Sequence, residues 1–393
     1  MKTPAITVDL VSDTATRPSE PMRRAMAYAD VGDEQRDEDP TVNALVQKVA
    51  TLLGKEAALF LPSGTMANQI SLAVHCSAGD EILAAANAHV LSSEGAGAAV
   101  FCGSLIRGIP TATGIFSADD LADSWQPGKL KAPRPRLVVI EQTSNRGGGA
   151  VWPLETLADV ARWARDKGMA VHMDGARLMN AVVAGQTPAH DFAAHCDSVW
   201  IDLSKGLGCP VGSVLAGSRD FIARANVWKH RFGGAMRQAG ILAAAGIYAL
   251  DHHVQDLAHD HRRARDFANA IGKLPGVTLV NPEVQTNLVF LDIRHTGQTS
   301  NTIATFLRTH GIRIGVESPT LMRAVFHRDI NDNALAQAID RFEFGVRANF
   351  YSDPKFTLTP KGYQRVSVRR SRRRRGRCGR WSSGRCRVCW RCL

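Results

Sequence analysis

The sequence predicts an α/β protein with a large, mainly parallel mixed sheet flanked by helices and a smaller C-terminal α+β domain. Helix-like and strand-like segments alternate from about residue 41 to 250, which is the rhythm of successive β-α-β units. The strand candidates are continuous apolar runs, as is typical of strands covered on both faces. After about residue 250 the alternation gives way to a different pattern, which indicates the second domain.

The elements of the large domain can be justified in chain order. "DPTVNALVQKVATLLG" has helical apolar spacing and ends at Gly54, "AALFL" is a strand candidate, and "SGTMANQISLAVHC" is a helix candidate. A short strand, "EILAA", and a buried strand, "RLVVIEQTSN", follow, and the latter runs into a glycine-rich loop. The amphipathic helix "PLETLADVARWARDKG" has Pro153 near its start. "MAVHMDGA", "SVWIDLSKG" and "SVLAG" are three further short strands.

The smaller domain follows a long helical stretch with a candidate kink, "GILAAAGIYALDHHVQDLAHDHRRARDFANAIG". It comprises "TNLVFLDI", a helix near 299–309, "GIRIGV", "LMRAVFHRDI" and a final helix near 331–345. We therefore divide the chain into an N-terminal arm (1–20), a large domain (21–250), a small domain (251–352) and a basic tail (353–393). The histidines of "DHHVQDLAHDHRR" could bind a metal, but an exposed polar helix explains them as well, and no H-E-x-x-H motif is present.

The net charge of +11 belongs to the tail rather than to the body of the chain. Residues 361–393 contain Lys361 and twelve arginines without an acid, which leaves 35 of the 48 basic residues against all 37 acidic ones. Four of the eight cysteines also lie in the tail, and the four in the body are isolated, as in proteins with reduced thiols. We expect a disordered extension. Nucleic-acid binding through its arginines with Trp381 and Trp390 is a less favoured alternative.

The sequence also indicates where in the cell the protein is expected. No run approaches the roughly 18 apolar residues that a membrane-spanning helix needs. The first residues, "MKTPAITVDLVSD", lack the apolar segment of a signal peptide. We therefore expect a cytoplasmic protein without a membrane partner.

Polar residues cluster where the predicted strands end, which is where open α/β sheets bind their ligands. Ser63-Gly64-Thr65 open a helix and could hold a phosphate, or Ser63 could be an ordinary N-cap. Asp174 ends one strand and could pair with a cationic ring nitrogen or a metal, or cap a helix. Lys205 follows the next strand, where the alternative is a surface turn. Together these residues meet the needs of pyridoxal 5′-phosphate, which requires a Schiff-base lysine, an acid at the ring nitrogen and a phosphate site.

The chain resembles the low-specificity L-threonine aldolases and the wider β-eliminating lyase family of fold-type-I pyridoxal-phosphate enzymes. The resemblance spans about residues 6–345. Its motifs are "DLVSDTATRPSEPMRRAM", "VGDEQRDEDPTVNAL", "GKEAALFLPSGTMANQI", "HMDGARLMNAVVA", "DLSKGLGCPVGS", "MRQAGILAAAGIYAL" and "QTNLVFLDI". It implies the fold-type-I transferase-like architecture and pyridoxal 5′-phosphate as the cofactor. It also implies a homodimer or homotetramer with shared active sites.

The resemblance assigns roles to individual residues. Lys205 would form the Schiff base, His89 would stack on the cofactor ring near the substrate hydroxyl, and Asp174 would contact the ring nitrogen. Arg177 would contact the cofactor's phenolate oxygen or the substrate carboxylate. The remaining assignments are phosphate binding by Ser63, Gly64 and Thr65, substrate-carboxylate binding by Ser12 and Arg323, and a basic loop with Lys229 and Arg231 that in relatives can reach a neighbouring subunit's phosphate.

Three stretches depart from the family pattern. Ser144 stands where relatives commonly have a histidine implicated in handling the β-hydroxyl, so we assign Ser144 to the substrate site with an open role. Gln35-Arg36-Asp37 replaces a Val-Tyr-Gly near the substrate opening. Arg36 there would favour a polar or acidic β-substituent, unless it is a solvated surface arginine. "NRGGG" is longer and richer in glycine than usual, so the loop over the cofactor is expected to differ in shape.

The expected activity is retro-aldol cleavage of 3-hydroxy-L-amino acids, of the threonine, allo-threonine and phenylserine type, to glycine and an aldehyde. His89, directly or through water, is the leading acid/base candidate. The alternative is β-elimination of a β-substituted amino acid on the same cofactor. Nucleic-acid binding through the tail is a remote third reading. No catalytic metal is expected.

Overall fold

The computed structural model of the chain describes residues 5–126, 130–347, 356–357 and 364–365. Two compact units are present, residues 1–347 and 348–393. In chain order the strands of the first unit are β1 Val8–Leu10, β2 Ala57–Leu61, β3 Asp80–Ala85, β4 Leu105–Ile109, β5 Arg134–Glu141, β6 Ala170–Gly175, β7 Ser198–Asp202, β8 Ser213–Gly217, β9 Thr278–Leu279, β10 Leu288–Asp292, β11 Ile312–Val316 and β12 Leu321–Val325.

Helices separate most of these strands. They are α1 Glu20–Ala27, α2 Pro40–Leu53, α3 Gly64–His75, α4 His89–Ser92, α5 Gly97–Cys102, α6 Ala118–Ser124, α7 Leu154–Asp166, α8 Leu178–Gly185, α9 Ala189–Ala193, α10 Arg219–Arg231, α11 Gly240–His252, α12 Leu257–Ile271, α13 Ser300–Thr309 and α14 Asp332–Arg347. The candidate kink in the long helical stretch is a break between α11 and α12. Short 3-10 turns lie at Asp13–Ala15, Glu34–Arg36 and Arg294–Thr296.

The larger sheet has seven strands in the order β2-β8-β7-β6-β5-β3-β4. Strand β8 runs antiparallel to both of its neighbours, and the other pairs are parallel. Every residue of β3, β7 and β8 is buried, as their apolar runs predict. The parallel strands β5, β6 and β7 therefore bring the residues at their carboxyl ends to one edge of the sheet.

Local signals in the sequence set the ends of helices α2 and α3. Asp39 caps α2 by accepting hydrogen bonds from the N–H groups of Thr41 and Val42. The same helix ends at Gly54, whose φ of +59° is left-handed. Ser63 caps α3 in the same way through Met66. The start of α3 is thereby fixed directly after β2.

The smaller sheet has the strand order β1-β11-β12-β10-β9. Strand β1 from the predicted N-terminal arm pairs in parallel with β11, so the arm contributes to this sheet. Helices α12, α13 and α14 pack beside it around a core that includes Phe267, Phe326 and Phe342. Both sheets lie within the first unit, and the predicted boundary at residue 250 falls near the end of α11. The division into domains stays a prediction.

In the second unit the described residues form two short antiparallel strands, β13 Phe356–Thr357 and β14 Gln364–Arg365. The rest of the predicted tail, 353–393, lies outside the described residues, and the expectations made for it stay predictions. None of the helices in the described part of the chain is long and apolar enough to cross a membrane.

Two histidines of the "DHHVQDLAHDHRR" segment correct the expectation of an exposed polar helix. His253 is buried, and its Nδ1 lies 2.7 Å from the carbonyl oxygen of Leu207. His261 is also buried and contacts Asn180 at 3.1 Å. His253 therefore connects the end of α11 to the loop that follows β7, and His261 connects α12 to α8.

Candidate active site

A cavity of about 450 Å³ opens at the carboxyl ends of β5, β6 and β7, beside the N-terminus of α3. Several predicted site residues line it: Ser12, Gly64, Thr65, His89, Asp174, Arg177, Lys205 and Arg323. The sequence did not point to other lining residues, which include Asn68, Glu94, Glu141, Trp200, Asp202 and Glu317. The cavity is therefore built largely from the polar strand ends that the sequence singled out.

Lys205 is not a surface-turn lysine. Its side chain is 19 % exposed, and its Nζ lies 2.7 Å from Oδ2 of Asp202, at the end of β7. The same Nζ lies 5.6 Å from the centroid of the Trp200 ring. The hydroxyl of Thr16 donates to the carbonyl oxygen of Lys205, which fixes the backbone of the loop. The amine is thus held inside the cavity by a carboxylate and an aromatic face.

Asp174 is a buried carboxylate at the end of β6. Its Oδ2 accepts a hydrogen bond from Nδ2 of Asn68 at 2.8 Å, and its Oδ1 accepts one from the N–H of Ala176 at 3.0 Å. Burial raises the pKa of Asp174 well above its usual range, and the nearby carboxylate of Glu141 raises it further. A cation placed against Asp174 would relieve this cost, and a protonated ring nitrogen is such a cation.

His89 begins α4 and is held at two points. Its backbone N–H donates to Oε2 of Glu141, and its Nδ1 lies 2.8 Å from Oε1 of Glu94. The hydrogen bond with Glu94 raises the pKa of His89, although burial opposes the shift. Because a carboxylate only accepts, Nδ1 carries the proton and Nε2 is the free nitrogen of the neutral ring.

The start of α3 forms one wall of the cavity. Gly64 and Thr65 line the cavity, whereas Ser63 is exposed and its Oγ accepts from the N–H of Met66. A Cβ at Gly64 would lie 2.2 Å from the Trp200 ring, so only glycine fits this wall. Free backbone N–H groups at the start of a twelve-residue helix attract an anion such as a phosphate.

Arg177 forms a buried ion pair with Asp13. Its Nε and Nη2 donate to the two carboxylate oxygens of Asp13 at 2.8 and 2.7 Å. Burial alone would raise the pKa of Asp13, but the Arg177 charge and hydrogen bonds outweigh it and hold the pKa at about 2. Asp13 was missed, although it directly follows Ser12 in the motif "DLVSDTATRPSEPMRRAM".

Arg323, on β12, reaches the cavity from the smaller sheet. Its Nη1 donates to Oδ1 of Asn145, its Nη2 donates to the carbonyl oxygen of Val11, and its Nε lies 3.2 Å from Oε1 of Glu317. Burial lowers the pKa of Arg323, and Glu317 offsets part of this effect. The guanidinium thus faces the same cavity as Lys205, with its direction set by two hydrogen-bond acceptors and the nearby Glu317 carboxylate.

Several predicted site residues lie elsewhere. Ser144 is buried within the glycine-rich loop, where its Oγ accepts from the N–H of Gly147, and it does not line the cavity. Lys229 lies in the last turn of α10 rather than in a loop, buried in an ion pair with Glu34. A lysine buried against a carboxylate is poorly placed to bind a phosphate. The roles assigned to Lys229 and Ser144 stay predictions.

Two predicted arginines lie at the surface. Arg231 ends α10, is exposed, and stacks over the ring of Trp228 at 4.6 Å. Arg36 is also exposed, lies 3.7 Å from Asp33, and is absent from the residues that line the cavity. Arg146, from the "NRGGG" loop, lines the cavity and adds a positive charge that the sequence did not predict there.

Three side chains of the cavity are also close enough to share a metal ion. The potential ligand atoms of His89, Glu94 and Asp174 lie within 4.8 Å of one another. Hydrogen bonds from Asn68 and His89 already bridge these carboxylates. The donors and acceptors therefore satisfy one another, and the histidines of the α11–α12 segment are not part of this group.

The residues present fit pyridoxal 5′-phosphate. The cavity combines an amine at Lys205, a buried acid at Asp174 whose hydrogen-bond donors are both neutral, and a helix start with a glycine whose Cβ would fill the wall. These are the Schiff-base partner, the ring-nitrogen partner and the phosphate site that the cofactor requires. The fold and the site together define a fold-type-I pyridoxal-phosphate enzyme.

The chain belongs to the β-eliminating lyase family, whose model matches residues 9–294. It is 41 % identical over 331 residues to the low specificity L-threonine aldolase of Escherichia coli K12, which covers 84 % of this chain and 96 % of the relative. It is 36 % identical over 341 residues to the low-specificity L-threonine aldolase 1 of Arabidopsis thaliana, at 86 % and 95 % coverage.

Solved structures agree in fold. The Leishmania major threonine aldolase superposes with a TM-score of 0.72 at 19 % identity and covers 87 % of this chain and 99 % of that one. A Sphingomonas wittichii serine palmitoyltransferase superposes with a TM-score of 0.70 at 17 % identity and covers 88 % of each. The predicted family, fold class, lyase class and cofactor are therefore confirmed.

Proposed function

We propose that this chain catalyses the retro-aldol cleavage of 3-hydroxy-L-amino acids to glycine and an aldehyde, with pyridoxal 5′-phosphate as cofactor. The observation that carries the proposal is the meeting of Lys205, Asp174 and His89 around one cavity at the strand ends. The low-specificity L-threonine aldolases to which the chain is similar support the same reaction. Threonine, allo-threonine and phenylserine are the proposed substrate types.

Arg323 and Ser12 are the proposed partners of the substrate's α-carboxylate. Arg323 offers a planar fork that can bind a carboxylate through two hydrogen bonds, and a substrate carboxylate would replace acceptors such as Asn145. Arg177 stays neutralised by Asp13 and presents an ordered guanidinium to the cofactor side. The proposed substrate contact, Arg323, therefore lies on the smaller sheet, and the proposed cofactor contact, Arg177, follows a strand of the larger sheet.

His89 is the proposed base for the β-hydroxyl group. Glu94 holds the proton on Nδ1, which leaves the Nε2 lone pair to take the hydroxyl proton, directly or through a water molecule. The Cα–Cβ bond then breaks, the β-carbon leaves as an aldehyde, and a proton delivered to the α-carbon completes glycine. Bound pyridoxal phosphate supplies the electron sink that stabilises negative charge at the α-carbon.

Lys205 is the proposed attachment point of the cofactor, and Asp202 keeps its Nζ at the cavity wall. Gly64 and Thr65 are the proposed phosphate contacts. A homodimer or homotetramer in the cytoplasm completes the proposal, and Arg231, exposed at the end of α10, remains a candidate to reach a second subunit.

Replacing Lys205 tests the assignment. Lys205→Ala should lose both the visible absorbance of bound cofactor and the release of glycine from L-threonine. Lys48→Ala is the matched control because Lys48 pairs with Asp251 at the surface, away from the cavity. Glycine release by Lys205→Ala at the wild-type rate would contradict the proposal.

A further inference from the structure

The side chain of Asn68, on α3, bridges two carboxylates of the cavity. Its Nδ2 donates to Oε1 of Glu94 at 2.7 Å and to Oδ2 of Asp174 at 2.8 Å. Its Oδ1 lies 2.7 Å from Nε1 of Trp200 and 3.2 Å from Nε2 of His172. Both hydrogens of the amide and both lone pairs of its oxygen are therefore used, inside a site where Asn68 is buried.

Trp200 fixes which way this amide faces. An indole N–H can only donate, so the atom that it meets on Asn68 is the oxygen, and the NH₂ group must face the two carboxylates. His172 meets the same oxygen, so its Nε2 carries a proton. The tautomer of His172 therefore follows from Trp200, because the indole N–H can only donate and so identifies the shared Asn68 atom as the oxygen.

The directed hydrogen bonds continue away from the cavity. The Nδ1 of His172 lies 2.8 Å from Oγ of Ser198, and Ser198 lies 2.8 Å from Nε2 of His75. If His172 is neutral, its Nδ1 accepts from Ser198, and Ser198 in turn accepts from His75. Burial keeps both rings neutral, because it lowers the pKa of His172 to about 3 and that of His75 to about 4.

We propose that Asn68 is a positioning residue that couples the two halves of the site, and that Trp200 and the His172–Ser198–His75 chain set its orientation. One donor of Asn68 holds Asp174 for the cofactor ring, and the other holds Glu94, which orients His89. This proposal rests on the proposed function in one respect only, namely that His89 acts as the base. The hydrogen-bond directions stand without that role.

The first test measures the tautomers in the cofactor-loaded wild-type protein. With ¹⁵N-labelled histidine, and the signal assigned through a His172→Gln variant, His172 should show a protonated Nε2 and an unprotonated Nδ1. It should remain neutral at pH 5. A proton on Nδ1 in place of Nε2, or a titration of His172 above pH 6, would overturn the proposal. This reading needs no substrate, so a failure of the aldolase assignment would leave it intact.

The second test compares Asn68→Ala with Gln69→Ala. Gln69 is the neighbouring buried amide and donates to Oε2 of Glu94 at 2.5 Å, and it is not among the hydrogen-bond partners of Asp174. Both variants remove a donor from Glu94 and should therefore raise the pKa of His89, read by the same NMR titration. Only Asn68→Ala should also weaken pyridoxal phosphate binding, by about tenfold, since it alone frees Asp174.

The pair of variants separates coupling from general damage to α3. Equal weakening of cofactor binding in both variants would mean that the helix start, and not the Asn68 amide, is responsible. An unchanged pKa of His89 in Asn68→Ala would show that Asn68 does not act on His89 through Glu94. Either result contradicts the proposal, whatever reaction the enzyme catalyses.

Discussion

Replacing Asp13 with asparagine should destabilise the fold and loosen Arg177. In the wild type, two hydrogen bonds join the buried Arg177 guanidinium to the Asp13 carboxylate, and Asn287 donates to the same carboxylate. Asparagine retains the shape of the side chain but removes the charge. The buried guanidinium then lacks the anion that offsets its desolvation.

The magnitude follows from the pKa of Asp13. That pKa lies at about 2 in the folded chain against 3.8 for an unperturbed aspartate, and at 1.36 kcal/mol per pKa unit the difference corresponds to about 2 kcal/mol of stability. Breaking buried ion pairs costs about 3–5 kcal/mol in other proteins, so we expect Asp13→Asn to cost about 2–4 kcal/mol at pH 7.

The contribution of Asp13 also depends on pH. Because the folded pKa lies below the unfolded one, the stabilisation is complete well above pH 3.8 and is lost as the pH falls through about 2. By the same linkage, about half of the stabilisation should remain at pH 3. The gap between wild type and variant should therefore narrow between pH 4 and pH 2.

Urea denaturation at pH 7, 4 and 3 measures this difference. Asp159→Asn is the control, since its ion pair with Arg162 is exposed on both sides and should contribute less than about 1 kcal/mol. A loss below 1 kcal/mol for Asp13→Asn at pH 7, or a gap that widens as the pH falls, would refute the reasoning.

Three further substitutions probe the cavity. His89→Gln should lower kcat by at least about a hundredfold, as expected for loss of a general base, and a fall of less than tenfold in steady-state assays would remove that role. Arg323→Lys should raise KM for L-threonine by about tenfold or more, because a point charge replaces a planar fork, and an unchanged KM would argue against carboxylate binding there. Gly64→Ala places a Cβ 2.2 Å from the Trp200 ring and should cost about 1–3 kcal/mol in thermal or urea unfolding while weakening cofactor absorbance. Wild-type stability and wild-type cofactor absorbance in Gly64→Ala would show that the Trp200 ring can move to accommodate a Cβ, and would contradict the requirement for glycine.

The strand ends explain why so much of the site could be predicted. Asp174 lies at the end of one apolar strand and Lys205 lies three residues after the end of the next, and parallel strands place such residues at one edge of a sheet. The fold class was predictable for the same reason, since buried parallel strands leave apolar runs in the sequence. The roles assigned to the lining residues stay predictions.

Residues that act through another side chain were harder to find. Glu94 lies in a turn without periodicity, and Asn68 lies within a helix where its spacing resembles that of the core, so neither has a local signal. Their positions depend on packing between α3, α4 and β6. Lys229 and Ser144 are the opposite case: the family resemblance pointed to them, but in the structure their polar atoms contact Glu34 and Gly147, and neither residue lines the cavity.

The products formed from L-threonine test the central claim most directly. The cofactor-loaded protein should release glycine and acetaldehyde in equal amounts, and it should also release glycine from L-allo-threonine and L-phenylserine. Ammonia together with a keto acid, in place of glycine, would contradict retro-aldol cleavage and assign the site to β-elimination.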